Sequence, residues 1–113
     1  MDHDISEQEG VRVLHLRGPV DVAAAMGLRD LLGGLIDTPA ARVLVDLGAV
    51  PLIDSSGIGI LITAHRRAVA QGARFALAAP AAPVARVFEM TRTNKLLDIH
   101  ADVEAGVAAL GNG

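Results

Sequence analysis

There is no cysteine in this 113-residue chain, no tryptophan and no tyrosine, and only two phenylalanines, Phe75 and Phe88. The first absence excludes disulfides, thiolate nucleophiles and thiolate metal sites. The scarcity of aromatic rings leaves almost nothing from which to build a base-stacking platform or an aromatic-lined cofactor pocket. Lysine occurs once, at 95, outside any Gly-Lys-Ser/Thr phosphate loop. No apolar run approaches the ~20 residues of a membrane span, and the start Met1-Asp2-His3-Asp4 is acidic where a secretory leader is basic. A cytoplasmic protein with no membrane insertion is therefore expected. Thirteen acidic against ten basic residues, a formal charge of −3, offer no concentrated basic face for nucleic acid. What is present is apolar: 51% hydrophobic composition is ample for one core, and one domain spanning 1–113, with its core at about 4–110, is expected.

Glycine and proline cut the chain into segments with distinct apolar periods. Residues 4–8 suit a short edge strand, Glu9-Gly10 a hairpin turn, and residues 11–17 a strand ended by Gly18-Pro19. After Asp21, a favoured N-cap type, Leu28, Leu31, Leu32, Leu35 and Ile36 fall on one helical face, predicting a helix over about 22–36 that stops before Pro39. Residues 42–47 read as a strand, Gly48–Ile53 as a loop, and Ile58, Leu61, Ile62 and Val69 as the stripe of a helix over about 56–71 closed by Gly72. Residues 74–78 suit a strand, Pro83 the first turn of a helix over about 83–92 with Val84, Val87 and Phe88 inward, residues 97–100 a short strand, and Val103, Val107 and Leu110 a last helix. The order ββαβαβαβα predicts an α/β fold on a mixed, mostly parallel sheet with about four helices.

Few residues carry chemistry. Gly57-Ile58-Gly59 lacks the third glycine of a dinucleotide fingerprint, and its small residues are explained by close packing of a helix start against the sheet. Ser55 and Ser56 are not in a Gly-x-Ser-x-Gly elbow. His15, His65 and His100 are scattered, with no pair at metal-ligand spacing, so no metal, no cofactor and no catalysis are expected. His65-Arg66-Arg67 reads as a solvated face. There remains Asp54-Ser55-Ser56-Gly57, ahead of the central helix. Any one of the first three can cap that helix, but only one cap is needed, and of the two serines Ser56, closer to the helix, is the better placed to have its oxygen occupied by capping. A spare hydroxyl at a helix N-terminus is a sensible phosphate carrier, because free N–H groups and the macrodipole would hold the anion. Capping alone and phosphorylation both remain open on the residues themselves.

These residues resemble the STAS domain, in particular the single-domain bacterial anti-sigma-factor antagonists. The resemblance is carried by Val45-Asp46-Leu47, a six-residue loop, and Asp54-Ser55-Ser56-Gly57-Ile58-Gly59, which matches the family's Asp-Ser-Ser/Thr-Gly-hydrophobic-Gly pattern without a gap. Gly18-x-Val20-Asp21, Gly72 and Ala79-Pro80-x-x-Pro83-Val84-x-Arg86-Val87-Phe88 support it, so that nearly the whole chain is covered. The resemblance implies a binding switch and no enzyme. The unphosphorylated antagonist binds an anti-sigma factor that is also a serine kinase and so releases a sigma factor. The kinase, with its own ATP, phosphorylates the serine after the Asp, here Ser55, and a metal-dependent serine phosphatase reverses it. Asp21 corresponds to an acidic residue beside that serine, and Asp21, Asp54, Ser55, Ser56 and Gly57 are the expected partner contacts. The alternative within the resemblance is a constitutive STAS adaptor, in a stress-signalling assembly or beside a lipid-transport ATPase. Two positions depart from the pattern. Pro19 replaces a frequent acidic residue, and Arg92 replaces a helix-ending Gly, with Asn94 the expected left-handed substitute.

Overall fold

The computed structural model describes residues 1–111. A five-stranded sheet runs in the order β1 (His3–Gln8), β2 (Val11–Arg17), β3 (Arg42–Ala49), β4 (Arg74–Ala78), β5 (Ile99–His100). The first pair is antiparallel and the other three pairs are parallel. The helices are α1 (Val22–Leu35), α2 (Ser55–Gln71), α3 (Ala82–Met90) and α4 (Val103–Gly111), with a single 3-10 turn at Thr93–Lys95. The predicted α/β order is thus observed. Glu9 and Gly10 turn the hairpin with φ of 52° and 79°, the pair of positive values that matches the twist of the flanking strands.

Alternation along each strand divides the core between two faces. Leu14 and Leu16 of β2, Val43, Val45 and Leu47 of β3, and Phe75 and Leu77 of β4 meet α1, α2 and α3. Val11, Val13, Leu44, Ala76 and Ala78 meet α4 through Val107 and Leu110. On this second face the helix lies close: a Cβ on Gly106 would sit 2.7 Å from Leu44 Cδ1. The C-terminal end of α4 comes down at the starts of β2 and β3, where Arg42 Nη1 donates to Gly111 O at 3.1 Å. The far ends of β2 and β3 on that face are left uncovered, and the sequence places polar side chains there.

Several expected boundaries and faces differ. The third strand continues past 47 because Arg17 pairs with Ala49 beyond a bulge. Only Ile99 and His100 of the expected strand over 97–100 are strand; Leu97 turns into the core while Asp98 O accepts from Leu77 N–H at 2.8 Å. Val69 is not on the buried stripe of α2, which is Gly57, Ile58, Leu61, Ala64 and Ala68; Val69 is 67% exposed. Helix α3 ends at Met90, and the left-handed residue after it is Arg92 itself, φ 59°, whereas Asn94 sits in the 3-10 turn. Gly72 closes α2 in the left-handed region as expected, φ 77°.

Candidate functional site

The two strand-to-helix connections that precede α1 and α2 are stitched side by side. Val20 N–H donates to Leu52 O at 3.0 Å and Asp54 N–H to Val20 O at 3.2 Å, making a parallel bridge between Val20 and Ile53. The N-termini of both helices therefore emerge together, each closed by an aspartate in extended conformation. Asp21 Oδ1 accepts from Ala24 N–H at 3.1 Å, and Asp54 Oδ1 accepts from Ser56 N–H at 2.9 Å and Gly57 N–H at 3.2 Å.

Ser55 is the first residue of α2 and is exposed; Ser56 beside it is half-buried. The expectation that Ser56 would spend its oxygen on capping fails, because Asp54 takes that role. Among the described residues no hydrogen bond occupies either serine hydroxyl. A second expectation is corrected by the same contacts: the N–H groups of Ser56 and Gly57, which would have held a phosphate, are already bound to the Asp54 carboxylate. A phosphate placed on Ser55 would find those two N–H groups taken and the Asp54 carboxylate next to it.

Gly57 is enclosed. A Cβ there would lie 2.5 Å from Val20 Cγ1, 2.8 Å from Val20 O and 2.9 Å from Ile53 Cγ1. Only hydrogen fits where α2 crosses the stitched connections, so the close packing read from the sequence holds at 57. It does not hold at Gly59, which is exposed, with nothing within 4 Å of the place a methyl would take. Gly59 lies one helical turn after Ser55, on the same face. Since an open helical glycine costs about 0.5–1 kcal/mol relative to alanine, Gly59→Ala is expected to raise the melting temperature of the free domain, read by circular dichroism.

The surroundings are acidic and apolar. The cation nearest in sequence, Arg17, is engaged elsewhere: Nη1 lies 2.6 Å from Asp4 and Nη2 2.9 Å from Asp2. Hydrogen bonds from this guanidinium, with its charge, hold both carboxyls below the usual carboxylate range. Leu52, before α2, and Val22 and Met26, one turn apart on α1, are 49%, 73% and 59% exposed. Buried stripes in the sequence do not reveal these apolar side chains; a valine directly after the capping Asp21 is the one available signal. Pro19 is exposed as well. Among the described residues no group of three or more His, Asp or Glu could hold a metal ion, and no helix is long and apolar enough to cross a membrane.

A family model of the STAS domain matches residues 3–106. The chain belongs to the STAS-domain family. This STAS domain is 28% identical over 104 residues to the anti-sigma-B factor antagonist of Bacillus subtilis (strain 168), covering 92% of this chain and 94% of that one. In fold it is similar to an anti-sigma factor antagonist from Mycobacterium paratuberculosis, with a TM-score of 0.84 and 22% identity over 96% of this chain and 92% of the other. It is also similar to the anti-sigma factor antagonist SpoIIAA in its unphosphorylated form, with a TM-score of 0.79 and 20% identity, covering 99% and 98%. SpoIIAA of Bacillus has been solved in a phosphorylated form too, and there the TM-score is 0.69.

Proposed function

We propose that this STAS domain, one unit over residues 1–113, is a cytoplasmic anti-sigma-factor antagonist controlled by phosphorylation of Ser55. The unphosphorylated surface around Asp21, Asp54, Ser55 and Ser56 binds an anti-sigma factor that is also a serine kinase, and a sigma factor is released; Gly57, expected among the contacts, is buried against Val20 and Ile53 and positions the helix start instead. Phosphorylation by that kinase ends the contact, and a serine phosphatase restores it. The observation that carries this reading is the exposed Ser55 hydroxyl on the first residue of α2, left without a structural duty because Asp54 caps the helix alone. The exposed Leu52, Val22 and Met26 supply apolar area at the same end of the domain. The names of the relatives, and a neighbour solved in both phosphorylation states, support it. The domain itself needs no cofactor in this scheme, since ATP is the kinase's.

Incubating the chain with its candidate kinase and labelled ATP, then mapping the label, is expected to place it on Ser55. Undiminished labelling of Ser55→Ala would overturn the assignment. Gly59→Ala is expected to weaken binding to the kinase even as it stabilises the free domain, because the added methyl stands on the face that Ser55 shares. Unchanged affinity in titration calorimetry would remove Gly59 from the contact surface.

A further inference from the structure

On the sheet face that α4 leaves open, side chains from three strands form one hydrogen-bonded chain. Ser6 Oγ lies 2.9 Å from His15 Nε2, and His15 Nδ1 lies 2.7 Å from Asp46 Oδ2. A carboxylate can only accept, so the proton of the neutral ring sits on Nδ1, and Nε2 accepts from the Ser6 hydroxyl. Asp46 is fixed in turn, its other oxygen accepting from Gly48 N–H at 2.9 Å. The histidines are scattered in sequence; the register of β1, β2 and β3 places one of them between a serine and an aspartate. Nucleophile, base and orienting carboxylate are the three roles of acyl transfer, and they are recognised by geometry and not by chain order. The site is accessible, for the His15 and Asp46 side chains retain 30% and 21% of their exposure and Ser6 is half-buried.

The backbone supplies a fourth part. β1 is an edge of the sheet. Arg17 N–H donates to Asp2 O at 3.0 Å, and bonded pairs alternate along an antiparallel ladder. Even-numbered residues of β1 therefore turn their N–H groups toward β2, and odd-numbered ones turn them outward. Glu7, directly after Ser6, presents its N–H at the open edge, where it can donate to an oxyanion forming beside Ser6.

We propose that Ser6 is an acyl acceptor, activated by His15 and oriented through Asp46, that takes the acyl group of a small uncharged ester. Ser6 Oγ attacks the ester carbonyl carbon while the hydroxyl proton passes to His15 Nε2. The tetrahedral intermediate then collapses, the carbon–oxygen bond to the leaving group breaks, and the leaving oxygen takes that proton back from Nε2. Asp46 and Asp4, which is paired across from His15, lie on the same face as Ser6, and with Asp2 they outnumber the one guanidinium there, Arg17, which disfavours an anionic donor.

The test incubates the full chain with p-nitrophenyl acetate, follows nitrophenolate release and maps the acetyl group by mass spectrometry. Acetyl on Ser6 is expected. Asp46→Asn, which keeps the side-chain shape, is expected to slow acetylation of Ser6 by ~10²-fold or more. His15→Asn should do the same and serves if Asp46→Asn does not fold by circular dichroism. Acetyl found only on Lys95 or the N-terminal amine, or on Ser6 at an unchanged rate in the folded variants, would overturn the proposal, since a merely structural chain of hydrogen bonds confers no rate.

Discussion

Ser55→Asp is expected to bind the kinase ten- to a hundredfold more weakly than the unmodified domain, and Ser55→Ala at least as tightly. The sign comes from what already surrounds residue 55. Asp54 and Asp21 cap the two adjoining helices, Arg17 is bound to Asp2 and Asp4, and the chain carries a formal charge of −3. A partner seated on this surface accommodates negative charge before any phosphate arrives. Against one partner carboxylate about 5 Å away, at an effective dielectric of ~20, each added charge costs about 3 kcal/mol before screening. Salt and relaxation reduce this, and a surviving ~1.5–3 kcal/mol is a factor of roughly 10–100 in affinity. Phosphoserine, with roughly −1.5 to −2 charges, should exceed the aspartate mimic. Because Asp54 already holds the Ser56 and Gly57 N–H groups, these two donors are not open to the added charge, which acts across the interface. Calorimetry on the three proteins at low and moderate salt checks this, with the differences shrinking as salt rises. Equal affinities for Ser55→Asp and the unmodified domain would favour the constitutive adaptor.

Local chemistry and contact across strands differ in how far the sequence discloses them. Glu9-Gly10, Gly72, Asp21 and Pro83 announce a turn, a helix stop and two helix starts because each acts on its immediate neighbours, and each is found in that role. The same logic places Ser55 at the head of α2. It does not decide which of three capping-type residues caps, since Asp54, Ser55 and Ser56 are all competent and the choice depends on where the loop from β3 is pinned. Val20 and Ile53 pin it through a bridge between segments roughly 33 residues apart, a separation that no local propensity reads. Gly57 and Gly59 look alike in sequence, yet one faces Val20 and the other faces solvent. Ser6, His15 and Asp46 meet only through strand register, so no spacing rule could join them. Val69 and Arg92 depart from expectation for a similar reason: a residue at helical spacing can fall just outside the buried arc, and a left-handed backbone can be imposed by the next element, here the 3-10 turn.

The largest structural effect at the site is expected at Gly57. Alanine would bring a methyl to 2.5 Å from Val20 Cγ1 and 2.8 Å from Val20 O. The valine side chain can rotate, but the carbonyl cannot withdraw freely, because it accepts the Asp54 N–H that joins the two helix starts. Overpacking of this kind costs about 1–3 kcal/mol, against which alanine's helix preference returns about 1 kcal/mol at most. The net loss should lower the melting temperature by several degrees in a domain of this size. The displacement has a second consequence, because anything that parts Val20 from Asp54 also moves Asp21 relative to Ser55. Gly57→Ala is therefore expected to weaken kinase binding and slow Ser55 phosphorylation, although it introduces no charge. Its affinity loss should not depend on salt, which distinguishes it from Ser55→Asp. Thermal melts with calorimetry at two ionic strengths measure both effects, and a Gly57→Ala variant as stable as the unmodified domain would show that the helix start has room the contacts deny.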